Sequence, residues 1–216
     1  IMDVNGDGLA DLVRCQYVYN IPVYNRLQFL NSGPVPNLLK KIDNGMGGAV
    51  DVDYTPSTRG WMKLYDPATG QVETNDQIPG VMQEVSKITR TGLRSNNIDP
   101  SNPVTAGADS RSYTTLYRYS GGKNLDHEFR GFGKVKEIDG QTGNFTITEF
   151  HQDYARRGQV KSERSYVGHR ADYRVGGVLT GAFLAARDEQ APTYGQPRLV
   201  SETHHRYRVV IHADDP

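Results

Sequence analysis

Residues 129–154 read FRGFGKVKEIDGQTGNFTITEFHQDY. Val135 and Ile138 stand before Asp139-Gly140-Gln141-Thr142-Gly143, and Phe145, Ile147 and Glu149 follow at alternate positions. Two β-rich runs around a glycine-bearing turn make a hairpin. The same design surrounds it. In LLKKIDNGMGGAVDVDYTPST (38–58), Leu38, Leu39 and Ile42 form a first strand and Asn44–Gly48 a turn. Val50, Val52 and Tyr54 then alternate on a second strand. Asp51 and Asp53 fall on its opposite face, as in a sheet wet on one side. SYTTLYRYSGG (112–122), GQVKSERSYV (158–167) and RLVSETHHRYRVVIH (198–212) read as further strands. VMQEVSKITRTGL (81–93) admits a strand or a short helix, and the strand is preferred. The expectation is an all-β protein of antiparallel hairpins.

Composition sets outer bounds. The chain has 216 residues, formal net charge zero, 23 glycines, 11 prolines, 13 tyrosines and one cysteine. Zero net charge offers no general attraction to nucleic acid or anionic membranes. A single Cys15 excludes an internal disulfide framework and a cysteine-rich zinc site. No apolar run has the length of a membrane-spanning helix. Residues 60–80, around Trp61, Tyr65 and Asp66-Pro67-Ala68-Thr69-Gly70, read as an irregular connection. Residues 95–110 read as a polar loop, and VGGVLTGAFLAARDEQ (175–190) as a short helix or inserted loop.

The chain begins in DVNGDGLADLV (3–13), where Asp3, Asn5, Asp7 and Asp11 carry oxygen-bearing side chains around Gly6 and Gly8. Such carboxylates repel one another unless a cation joins them, and calcium accepts six to eight oxygens in irregular geometry. Asp3, Asn5 and Asp7 fit the first ligand positions of an EF-hand pattern. Leu9 would offer its carbonyl and Asp11 a further carboxylate, whereas Arg14 stands where the closing Glu belongs. LVRCQYVY then reads as strand, so this is a calcium-type loop between strands. A bare Asp/Asn/Gly turn is the competing reading. With almost no room for a preceding strand, the chain reads as a piece of a longer protein.

Four stretches in order carry a resemblance: DVNGDGLADLV, LLKKIDNGMGGAVDVDYTPST, YRYSGGKNLDHEFRGFGKVKEID (117–139) and FTITEFHQDYARRGQVKSE (145–163). Together they resemble the B component of Tc insecticidal toxin complexes and the related SpvB-type virulence proteins. The likeness covers most of 3–165 and resumes at 198–208. It implies the last part of a β-propeller blade with FG-GAP/VCBS-like calcium loops, then antiparallel hairpins that lead into an Rhs/YD-repeat shell. The implied units are a blade remnant at 1–32, middle-region hairpins at 38–165, an insertion or short helix at 166–197 and a terminal strand at 198–216. The implied role is non-catalytic: a secreted or cell-surface component enclosing a toxic cargo, with a C-type toxin component and an A-type pore component as partners. Residues 166–197 match nothing in the pattern, and no true YD repeat occurs.

Catalytic signatures are weak. His127-Glu128 opens like a zincin motif without its second histidine, and no G-x-S-x-G elbow accompanies His151 and Asp153. His204 and His205 point apart in a strand, and Cys15 reads as core. In HEFRGFG (127–133), Arg130 pairs with Glu128 or holds a carbonyl, while Phe129 and Phe132 pack. The alternative function is a free-standing calcium-dependent binding or adhesion module. An aromatic groove of Tyr17, Tyr19, Tyr24, Trp61 and Tyr65 would favour it.

Overall fold

The computed structural model describes residues 3–16, 25–31, 33, 35–58, 64–74, 78, 80–93, 110–168 and 196–207. In chain order the strands are β1 (Leu12–Gln16), β2 (Asn25–Phe29), β3 (Lys41–Asp43), β4 (Ala49–Pro56), β5 (Leu64–Asp66), β6 (Gln71–Glu73) and β7 (Gln83–Leu93). There follow β8 (Ser110–Ser120), β9 (Asn124–Leu125), β10 (Glu128–Phe129), β11 (Lys134–Asp139), β12 (Phe145–Phe150), β13 (Val160–Val167) and β14 (Arg198–His204). No helix occurs among the described residues, and the expectation of an all-β antiparallel chain is met.

Eight strands form one sheet in the order β14-β13-β12-β11-β8-β7-β4-β3, and β1-β2, β5-β6 and β9-β10 are separate hairpins. The opening stretch supplies its centre. Asp139 N donates to Asn144 O at 2.8 Å and Asp139 Oδ1 accepts from Gln141 N at 2.7 Å, closing the turn. That turn pairs Ile138 with Phe145 and Lys136 with Ile147. Leu116 pairs with Ile138 on one side, and Tyr166 with Phe145 on the other. These partners share one face, and Leu116, Ile138, Phe145, Ile147 and Tyr166 cluster there with Leu64 from β5. Each such burial contributes roughly 1.5–3 kcal/mol. Phe145 stacks on Tyr166 with centroids 5.0 Å apart.

Several expectations are corrected. Residues 64–73 are not irregular: they form the β5–β6 hairpin, with Leu64, Tyr65 and Asp66 all buried against the sheet. Leu38 and Leu39 lie ahead of β3, which is only three residues long, as edge strands often are. Of the strand expected over 198–212, β14 ends at His204 and His205 leaves it with its amide on Lys161 O at 2.9 Å, while 208–212 lie outside the described residues. The strand preferred for 81–93 is found as β7, and Asp51 and Asp53 are exposed beside half-buried Val50, Val52 and Tyr54. All of the polar loop read at 95–110 except Ser110, which opens β8, most of the 166–197 insertion, and Tyr17, Tyr19, Tyr24 and Trp61 lie outside the described residues.

Candidate functional site

The loop before β1 is organised by its own acidic side chains. Asp3 Oδ1 accepts the Gly6 amide at 2.7 Å and the Asp7 amide at 3.2 Å, and Asp3 Oδ2 accepts the Gly8 amide at 2.8 Å. Asn5 Oδ1 accepts the Asp7 amide at 3.1 Å, and Asp7 Oδ1 accepts the Leu9 amide at 2.8 Å. Such Asx turns need a backbone that other residues resist. Gly8 has φ +85°, and a Cβ there would also press on Gln83 Nε2 and Val81 at 3.2 and 3.3 Å.

Asp11 does different work. It is fully buried, and its two oxygens accept the Val4 amide at 2.8 Å and the Asn31 amide at 2.7 Å. It therefore ties the loop's start to the segment after β2. Those amides, Val4 first, hold its carboxyl below the usual range against the upward push of burial. Asp3, Asn5, Asp7, Leu9 and Asp11 thus share one loop. In this pose the side chains face loop amides, so a cation would have to exchange for those contacts. Among the described residues no three His, Cys, Asp or Glu side chains are grouped to hold a metal.

The loop also rests on the large sheet. Gln83 Nε2 donates to Asp7 O at 2.7 Å, and Thr58 Oγ1 donates to Gly6 O. These contacts fix two loop carbonyls on the ends of β4 and β7.

A second concentration of charge lies under the β5–β6 hairpin. Asp66 is fully buried, and its Oδ2 accepts from Lys134 Nζ at 2.7 Å and Arg164 Nη2 at 3.1 Å. Lys134 also reaches Glu73 Oε1 at 2.5 Å, and Arg164 reaches Glu149 Oε1 at 2.6 Å. Ser120 Oγ donates to Glu73 Oε2 at 2.9 Å. Burial alone would push the Asp66 carboxyl up, but the Lys134 hydrogen bond, the Ala68 amide and both cations outweigh it and hold it below the usual range. Burial likewise opposes the Lys134 ammonium, and its bonds to Asp66 and Glu73 win, raising it. Lys136 is 1 % exposed, its Nζ 3.4 Å from Tyr65 O and 4.1 Å from the Phe145 ring centroid. This network escaped the sequence reading because its partners sit on different strands, 15 to 98 residues apart. The one local signal was a turn sequence, Asp66–Gly70, bracketed by Leu64-Tyr65 and Val72.

The histidine candidates are placed as follows. His151 Nδ1 lies 3.6 Å from Asp153 Oδ2, but both follow β12 in a turn rather than sharing a strand face, and Arg156 Nε engages Asp153 Oδ2 at 3.0 Å. His127 is exposed at the tip between β9 and β10 with φ +63°. His204 ends β14 and lies 3.3 Å from Glu202, while His205 stacks near Tyr207. Cys15 pairs in register with Arg26. In the HEFRGFG knot, Arg130 Nη2 lies 3.3 Å from Glu128, Arg157 also engages Glu128, and Phe129 meets Phe132 edge-on at 5.4 Å. Gly133 is the close approach: its amide donates to Ser120 O and Gly121 O at 3.0 Å each, and a Cβ would meet Gly121 O at 3.3 Å.

Set beside known protein families, residues 1–163 match the family described as the insecticide toxin TcdB middle/N-terminal region. No curated protein matches the chain.

Proposed function

Because the chain belongs to the TcdB toxin middle/N-terminal family over residues 1–163, we propose that it is a non-catalytic wall segment of a Tc-type B component. In this reading it helps to enclose a toxic cargo and pass it on. Its partners are a C-type toxin component and an A-type pore component, and the assembly is secreted or displayed at the cell surface. Residues 1–32 would be the end of a propeller blade, as in SpvB-type proteins, and the hairpins from 38 to 165 the start of an Rhs/YD-repeat shell. The observation that carries the proposal is the family match itself. The eight-stranded antiparallel sheet is consistent with a wall.

Peptide mapping of the natural protein on both sides of residues 1 and 216 tests this reading. YD-type repeats following Pro216, and co-purification with a C-type component, are the expected results. If the natural protein has no such repeats and recovers no toxin component, the reading fails. The free-standing calcium-dependent binding module then takes its place.

The loop calcium belongs to the same proposal. Asp3, Asn5, Asp7, the Leu9 carbonyl and Asp11 would hold Ca2+, supported by an all-oxygen donor set at alternate positions around Gly6 and Gly8. A ligand bound only by the folded state raises its melting temperature. Millimolar calcium should therefore raise Tm over chelator in the parent chain, and Asp3→Ala or Asp7→Ala should remove that increment. Equal melting in calcium and chelator would mean a plain Asx-turn loop.

A further inference from the structure

Thr55 on β4 and Glu84 on β7 are register partners, next to a bulge between Asp53 and Tyr54. Glu84 is 5 % exposed and Thr55 1 % exposed. Among the described residues, neither carboxylate oxygen of Glu84 nor Thr55 Oγ1 has a hydrogen-bond partner. An ionised carboxylate there would lack every compensation that makes buried charge tolerable.

Among the described residues the surroundings supply no relief. Across β4 stands the neutral Thr55, and Gly80, Val81 and Met82 lead into β7 without a charge. Lys87, farther along β7, is engaged by Asp53 at 2.6 Å. On β8 the Tyr119 phenol is itself pushed up by burial, and then by the charges of Glu84, Tyr117 and Glu137. Burial drives the Glu84 carboxyl up to about 8 from an ordinary 4.5.

The same strand ends hold the N-terminal loop. Gln83, adjacent to Glu84, donates to Asp7 O, and Thr58 donates to Gly6 O. Between them the Ser57 amide bonds Met82 O at 2.8 Å and Met82 N bonds Ser57 Oγ at 3.0 Å. We propose that Glu84 is a proton-controlled latch: neutral, it stays sealed between β4 and β7 and keeps the 3–11 loop docked on the sheet, and ionised, it opens that strand end and frees the loop.

The sign follows from linkage. The folded group holds its proton to higher pH than the released group does. The sealed form is therefore fully favoured below pH 4.5, loses ground as pH rises to about 8 and levels off above that.

Hydrogen exchange on the full chain, with intrinsic rates divided out, tests the latch. It should be run in chelator so that loop metal plays no part. The opening equilibrium reported by the amides of Ser57 and Met82, which bond across the two strand ends, should rise about a hundredfold between pH 6 and pH 9. Glu84→Gln should make that profile flat, and Glu84→Met serves if the amide variant folds poorly. Amides of β12 and β13 should keep their protection throughout. A flat parent profile, an unchanged slope in the variants, or an equal slope in β12 and β13 overturns the latch.

Discussion

One carboxylate oxygen, Asp66 Oδ2, joins three strands by accepting from Lys134 on β11 and Arg164 on β13. Removing one member of a buried ionic network leaves the others uncompensated, at a cost of about 3–5 kcal/mol. Asp66→Asn should therefore destabilise the chain by roughly that amount at pH 7 in urea denaturation. Since the Asp66 carboxyl is held below its ordinary 3.8, its contribution is present above that pH and is lost as pH falls through the folded value. Parent and variant should converge in strong acid, and a gap that persists there would assign the loss to packing. Residues of this kind were poorly legible in the sequence. Period-two reading marked Ile138, Phe145 and Ile147 correctly, but gave no sign that Lys136, sharing their face, would be among the most buried side chains. Lys136 is sealed by Phe145 from its own hairpin and by Tyr65, which lies 71 residues away along the chain. The acidic loop was legible because Asp3, Asn5 and Asp7 bond amides within a few positions, whereas its distant anchors Asn31, Thr58 and Gln83 gave no signal.

Among the elements, the long hairpins announced themselves and the short ones did not. The β11–β12 hairpin and β8 repeat a pattern long enough to read, whereas the residues of β7 also admitted a short helix. The β5 and β6 strands have three residues each, and β9 and β10 two, so no period can develop. The β9–β10 connection is nonetheless well defined. Asp126 and His127 have φ +52° and +63°, as in a type I′ turn, which favours Asn-Gly. Left-handed backbone is costly for a residue with a side chain. His127→Gly should therefore stabilise by about 0.5 kcal/mol, the relief being partly offset by glycine's unfolded-state freedom. Thermal melting checks the sign, and a lower Tm would show that the His127 side chain contributes contacts of its own to the tip.

At the scale of the molecule, the eight-stranded sheet has two edges that are handled differently. β3 is short and places the charges of Lys41 and Asp43 on its edge, a common defence against strand pairing. β14 has seven residues, all exposed, and among them Leu199 and Val200 are 47 % and 60 % exposed. Its register with β13 uses one row of backbone groups. The other row faces outward, and no described strand covers it. A long edge bearing apolar side chains is a template for another strand. In the wall reading, that strand would belong to the rest of the shell. As an isolated 216-residue chain, the protein should self-associate as concentration rises, through β14. Val200→Lys places a charge on that edge without touching the core, so it should reduce association in sedimentation velocity and leave Tm unchanged. A variant that associates as strongly as the parent would move the contact elsewhere, to the exposed Leu12, Phe29 and Leu30 around the β1–β2 hairpin.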